Sequence, residues 1–168
     1  HTHLSLFQNG ENAFYDANSP DGLSNIARGF IAGLLQHAPA FTAIINPLIN
    51  SYKRLVPGYE APVYIAWAEK NRSPLVRVPP QRGVSTRAEL RSPDPSCNPY
   101  LAFSVIIQSG LDGVEKVLNP GKPCNNVNLY EMSCEEREEW GIRNLPRNLG
   151  EALEELEKDE IVQHALTP

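Results

Sequence analysis

The sequence predicts an α+β fold, and three features carry that expectation. Short stretches with strand character lie at residues 1–7, 63–68, 75–78 and 87–91, the first by alternation and the second as an apolar run. Between them, Leu23, Ile26, Ala27, Phe30, Ile31, Leu34 and Leu35 recur at three- and four-residue spacing, the mark of an amphipathic helix. Residues 131–160 then hold eleven acids against four bases and read as a helical, solvated acidic end, whereas residues 1–130 carry eleven bases against nine acids.

Each element can be justified in order. In residues 1–7, His1, His3 and Ser5 point one way and Thr2, Leu4 and Leu6 the other, giving a half-buried strand with a polar face. Asn9-Gly10 is a turn signal. A helix is expected from about Ser24 to His37, interrupted by Pro39 and resumed as a short apolar helix over residues 40–45. His37, near its end, reads as a surface residue favoured by the helix dipole. Residues 47–62 form a long loop, rich in turn residues, that carries Tyr52, Lys53, Arg54, Tyr59 and Glu60; loops of that length in compact domains usually serve function. Two strands follow over residues 75–78 and 87–91. Asn98 with Pro99 opens a helix to about Leu118 whose nearly all-round apolar character predicts deep burial. Residues 123–134 read as polar loop with an extended piece at Tyr130. Ser133 and Glu136 form a capping box. Residues 141–148 read as loop, and Asn148 caps a last helix to about His164, with Leu153, Leu156 and Ile161 facing inward.

Composition narrows the function classes. The formal net charge is -5, and the basic residues are not interleaved with aromatics along a helix, so nucleic acid is a poor partner. No run of eighteen apolar residues predicts a membrane span. Three Cys without a CxxC pair fit reduced thiols in a cytoplasmic protein. The chain opens in what reads as mid-strand, without Met, and is expected to be a piece of a longer protein.

The densest chemistry lies in residues 71–95, where Arg72, Arg77, Arg82, Arg87 and Arg91 surround a single acid, Glu89. Guanidinium forks match carboxylates and phosphates. In a strand, Arg87, Glu89 and Arg91 share one face, and a carboxylate so flanked suits a metal ligand. A surface strand laced with ion pairs fits the spacing equally well. There is no P-loop and no dinucleotide fingerprint, so a nucleotide would have to be held by arginines, metal and strand faces.

NSYKRLVPGYEAP (residues 50–62), NRSPLVRVP (71–79) and ELRSPDPSCNPYLAF (89–103) closely resemble the C-terminal catalytic half of the type I glutamine synthetase family. HTHLSLF, DGLSNIARGFIAGLLQHA and SGLDGVEKVLNPG fall where the family has them, so the resemblance covers nearly the whole chain. It implies a curved sheet of antiparallel strands backed by buried helices. Residues 1–130 would belong to the catalytic domain and 131–168 to a truncated helical part of it. The implied reaction joins ammonia to glutamate with ATP through a γ-glutamyl phosphate. By resemblance, His1 and Glu89 ligate a divalent metal, Mg2+ or Mn2+. His3, Ser5 and Arg87 meet the nucleotide. Arg72 and Arg77 hold the transferring phosphoryl group. Arg54 and Arg91 hold the glutamate carboxylates, and Glu60 is the flap acid that deprotonates ammonium. Residues 47–62 would be a lid that keeps water from the acyl phosphate.

The family's position for an ATP-contacting Lys falls here in PPQRGVST, which leaves Arg82 without a role. Tyr130 matches a tyrosine adenylylated in some members and is read as structural. The family assembles as a dodecamer of two hexameric rings, with the remaining metal ligands upstream of His1, so this piece alone is expected to be inactive. Two other readings are a γ-glutamyl-amine ligase of the same superfamily, disfavoured by the intact loop with Glu60, and a non-catalytic relative, disfavoured by the presence of His1, Glu89 and the arginines.

Overall fold

The structure, a computed structural model, describes residues 1–58 and 61–167. Tyr59 and Glu60 therefore lie outside the described residues. Strand β1 spans Thr2–Leu4, and the short β2 (Phe7–Gln8) and β3 (Glu11–Asn12) make a hairpin around Asn9-Gly10, both with positive φ. Next come α1 (Asn25–Ile45), β4 (Tyr64–Ala68), β5 (Pro74–Arg77), β6 (Ala88–Leu90) and α2 (Pro99–Glu115). The end of the chain carries α3 (Cys134–Glu139), β7 (Arg143–Asn144), α4 (Leu149–Leu156) and α5 (Glu160–His164). Ser24, Asn98, Ser133 and Asn148 cap their helices through side-chain oxygens, as their sequence positions suggest.

The α+β architecture agrees with expectation, but the sheet is mixed rather than wholly antiparallel. Its order is β1-β6-β5-β4-β7; β4 and β5 run parallel and the other pairs antiparallel. A short connection ordinarily makes an antiparallel hairpin, and parallel neighbours usually need about a dozen residues between them. Here only residues 69–73 join β4 to β5. At about 3.3 Å per extended residue, five residues just cover the length of β4 on the way back.

Helix α1 is continuous through Pro39. The ring removes one rung of the ladder, but Ala38, Ala40, Phe41 and Ile45 around it are buried in the core, and packing outweighs that local loss. Helices α1 and α2 cross in close contact because both are notched. A Cβ added at Gly33 would lie 2.1 Å from the Ser109 carbonyl oxygen, and one at Gly113 would lie 2.1 Å from that of Gly29. One face of the sheet packs on α1 through Ile65, Trp67, Val76, Ala88 and Leu90.

Further expectations are corrected. Helix α2 is buried on one side only: Tyr100 is 84% exposed, and Leu101, Phe103 and Ile107 are also at the surface, because α1 and α5 cover just the opposite flank. The last helix is two helices, since Asp159 caps a new start through the amides of Ile161 and Val162. Within them Ala152 and Val162 are the buried apolar residues, and Leu153 is exposed. Tyr130 lies in a turn, and a short strand, β7, occupies part of the loop expected over residues 141–148.

Candidate active site

The site follows from the alternation of β6. Ala88 and Leu90 are buried against the helical layer, which sends Glu89 to the opposite face. The registers place Arg77 of β5 and His3 of β1 directly beside Glu89 on its two flanking strands. Arg77, Glu89 and His3 thus form a row across three strands, with His1 one pleat away on the same face.

Glu89 is the hub of that row. Its Oε1 lies 2.7 Å from His1 Nδ1 and 3.6 Å from Arg91 Nε, and its Oε2 accepts from Arg77 Nη1 at 2.7 Å. The carboxylate side chain is only 5% exposed. Of the two arginines that flank it in sequence, only Arg91 approaches it. Arg87 instead donates from Nε to His3 Nδ1 at 3.2 Å and from Nη1 to the Ser85 carbonyl at 3.0 Å. Ser5 lies exposed just beyond the end of β1.

Arg91 is buried. Burial pulls its pKa below the usual arginine value, although Glu89 opposes that shift. Its Nη1 donates to the carbonyl of Arg72, so it holds the backbone on which the exposed Arg72 side chain stands. The Nε atoms of Arg54, Arg77 and Arg91 are buried without a hydrogen-bond partner among the described residues. Donors left in that state are costly unless something else accepts from them.

Arg54 sits at the start of the loop that leads to Glu60. Its Nη2 donates to the Ser92 carbonyl at 2.6 Å and to Asn46 Oδ1 at 3.3 Å, and its Nε is 4.0 Å from Asp94 Oδ2. Arg54 therefore tethers the loop base to the segment after β6. Arg82 is away from this face. It pairs with Glu69 at 2.8 Å and donates to the carbonyls of Asp21, Pro79 and Gln81, tying residues 16–22 to the end of β4. It is a structural staple.

His1 and Glu89 are a fitting pair of donors for a divalent ion. One imidazole and one carboxylate, adjacent and on one face, suit Mg2+ or Mn2+ as part of a larger oxygen-rich set. Among the described residues no group of three His, Cys, Asp or Glu side chains could hold a metal ion. Further ligands would have to come from phosphate oxygens, water or other protein groups.

Sequence reasoning overlooked one wall of the site. A cavity of about 680 Å³ is lined by Lys70, Arg72 and Arg91 on one side and by Asn125, Asn128 and Tyr130 on the other. Burial raises the Tyr130 phenol above its usual pKa, with Arg91 opposing. The asparagines of residues 125–128 read as ordinary polar loop, and their only signal is their density. A second cavity, about 690 Å³ and lined partly by Trp67, Trp140 and Lys122, opens on the α1 side of the sheet, away from Glu89.

Comparison with known proteins gives a consistent result. Residues 1–168 match the family profile described as glutamine synthetase, catalytic domain. The glutamine synthetase of Thermus thermophilus is 58% identical over 166 residues, which is 99% of this chain and 37% of that protein. That of Methanosarcina mazei is 54% identical over the same shares. The chain thus spans a little over a third of the length of these curated relatives. Among solved structures, "GmaS/ADP complex-Conformation 1" superposes with a TM-score of 0.84 at 38% identity, over 98% of this chain and 38% of that one. "Apo GmaS without ligand" gives 0.83 at 37% identity, over 98% and 36%.

Proposed function

This chain belongs to the glutamine synthetase catalytic-domain family, and on that premise we propose that the protein carrying it ligates ammonia to L-glutamate at the expense of ATP. A γ-carboxylate oxygen of glutamate attacks the γ-phosphorus of ATP and ADP departs. Ammonia then attacks the acyl carbon of the γ-glutamyl phosphate, and inorganic phosphate leaves as glutamine forms. The observation that carries this reading is the buried Glu89, bounded by His1, Arg77 and Arg91 on one sheet face.

Phosphoryl transfer needs charge stabilisation more than covalent participation by the protein. His1 and Glu89 would hold Mg2+ or Mn2+, which when bound neutralises phosphate charge. Arg72 and Arg77 bind the transferring phosphoryl group, and the unpartnered Nε of Arg77 is a donor available to it. His3, Ser5 and Arg87 line the exposed end of the face and meet the nucleotide; a structurally similar protein is described with ADP. Arg91 and Arg54 bind the glutamate carboxylates and at the same time brace Arg72 and the loop base. Glu60 would accept the proton of ammonium as the loop closes.

Residues 1–130 would supply this half-site and residues 131–168 extend the same domain. The exposed apolar row of α2 supports the reading that the protein works as an oligomer, a dodecamer of two hexameric rings by family likeness, in the cytoplasm. Among the described residues no helix is long and apolar enough to cross a membrane. Identity of 54–58% to proteins named glutamine synthetase favours ammonia as acceptor. The test is ATP-dependent formation of glutamine by the full-length protein with ammonium, set against a panel of alkylamines. Formation of γ-glutamyl alkylamides without glutamine would overturn the assignment.

A further inference from the structure

The return from β4 to β5 lies next to the site, and one side chain specifies most of it. Asn71 Nδ2 donates to the Val127 carbonyl at 2.6 Å and to the Cys124 carbonyl at 3.1 Å. Its Oδ1 accepts from the Ser73 amide at 2.9 Å and from Ser73 Oγ at 3.0 Å. The amide group thus spends both its donors on residues 124–127 and its acceptor within its own turn. Two flanking links run the same way. The Glu69 amide donates to Asn125 Oδ1 at 2.8 Å, and Asn125 Nδ2 donates to Glu69 Oε1 at 2.9 Å.

These bonds do two things at once. They fold residues 69–73 back sharply enough for β5 to run parallel to β4 after five residues, where a crossover ordinarily takes about a dozen. They also fasten that return to residues 124–127, the opposite wall of the cavity that holds Lys70, Arg72 and Arg91. Arg72 is the next residue along, exposed, with its carbonyl held by Arg91. Its backbone is therefore clamped on both sides while its guanidinium stays free to meet a ligand.

We propose that Asn71 is a positioning residue that acts through Arg72: it sets the place of that guanidinium and the width of the cavity between residues 70–73 and 124–127. The proposal rests on the reading of Arg72 as a contact to the transferring phosphoryl group. A group held 1 Å away from its productive position costs on the order of 100-fold in rate.

The test is a double-mutant cycle in the full-length protein with Asn71→Ala, Arg72→Ala and the pair, followed by kcat and KM for glutamine formation and by calorimetric ATP affinity. Asn71→Ala is expected to lower kcat roughly 10- to 100-fold while the KM for ammonium stays unchanged. In the Arg72→Ala background the same change is expected to cost nothing more. Losses that multiply would overturn the proposal, as would an unchanged kcat. Asn71→Asp gives a second handle, because it keeps the acceptor for Ser73 and turns the donor to Cys124 and Val127 into a repelling oxygen. It is expected to behave as Asn71→Ala does, and wild-type kcat in Asn71→Asp would also sink the proposal. If the wild-type protein makes no glutamine, the functional reading fails. The positioning role is then decided by the same non-additivity in ATP affinity.

Discussion

Replacing Asp159 by Asn should loosen the end of the chain in a pH-dependent way, and the reason lies in His37. Its imidazole is buried between two carboxylates, with Nδ1 2.6 Å from Asp159 Oδ2 and Nε2 3.0 Å from Asp112 Oδ2. It therefore joins α1, α2 and the start of α5, and is no surface residue at a helix end. Burial alone would pull its pKa down, but hydrogen bonds and charge from Asp159 and Asp112 outweigh burial and raise it. Burial would raise both carboxyl pKa values, yet His37 with the Val162 amide lowers Asp159, and Lys116 with His37 lowers Asp112. Arg143, Glu155, Lys158 and Glu160 line the cleft beside His37. A raised folded-state pKa gives stability that is complete below the unfolded value of about 6.5 and is lost as pH rises through the folded one. The lowered carboxyls contribute above their unfolded values of about 3.9 and lose that contribution as pH falls through the folded ones. The staple is thus strongest between roughly pH 4 and 6.5. Asn keeps the N-cap to Ile161 and Val162 but replaces a charged hydrogen bond by a neutral one, a loss of about 1–1.5 kcal/mol. Helix α5 has five residues and cannot persist alone. Its amide protection at pH 6, corrected for intrinsic exchange, should fall about tenfold in Asp159→Asn. Wild-type protection should fall from pH 6 to pH 9, and the variant's should fall less. Equal wild-type protection at both pH values would refute the charged staple.

Three other changes probe the site and its scaffold. Glu89→Gln removes the proposed metal ligand without changing shape and should cost roughly 100- to 1000-fold in kcat, with weaker Mn2+ binding by electron paramagnetic resonance; normal Mn2+ affinity would remove Glu89 from the metal. Arg82→Ala should lower stability by about 2 kcal/mol through loss of the Glu69 pair and the carbonyl contacts, and should leave the KM for ATP within about twofold. A tenfold rise in that KM with unchanged stability would return Arg82 to the nucleotide. Gly33→Ala drives a methyl group into the Ser109 carbonyl and should destabilise by about 1–3 kcal/mol in chemical denaturation; an unchanged midpoint would show that the helix crossing can open at no cost.

What could be read from sequence depended on how far apart the interacting groups lie. Alternation within five residues is enough to put Glu89 opposite Ala88 and Leu90, and the helix caps are three-residue patterns, so both were legible. His37 was not, because its partners lie 75 and 122 residues away and on other helices. Asn71 stood inside a recognisable motif, but its acceptors are backbone carbonyls 53 and 56 residues on, which carry no side-chain signature. The parallel pairing of β4 and β5 was hidden for the same reason: a five-residue link argues for a hairpin until the side chain that folds it back is known. The half-exposed α2 shows the opposite failure, since an apolar helix tells that its faces avoid water but not which protein surface covers them.

The arginines of residues 72–91 illustrate why charge alone could not assign roles. Arg82 is matched by Glu69 and by three carbonyls, so its charge is accounted for within the fold. Of Arg72, Arg77, Arg87 and Arg91, Arg77 pairs closely and Arg91 more loosely with the one carboxylate, Glu89, while Arg87 turns to His3 and Arg72 is exposed. Two Nε donors in that group are buried and unpartnered. Four guanidiniums against one carboxylate leave an excess of positive charge among the described residues. Such an excess is destabilising by itself, and partial burial sharpens it because the dielectric around Arg91 is low. It becomes favourable when anions enter, and the proposed reaction would supply them as a triphosphate and a dicarboxylate. The same surplus predicts that the apo protein binds inorganic phosphate or pyrophosphate on this face in competition with ATP, and that the competition weakens in Arg77→Ala. Competition undiminished by that change would mean that the excess charge is met elsewhere.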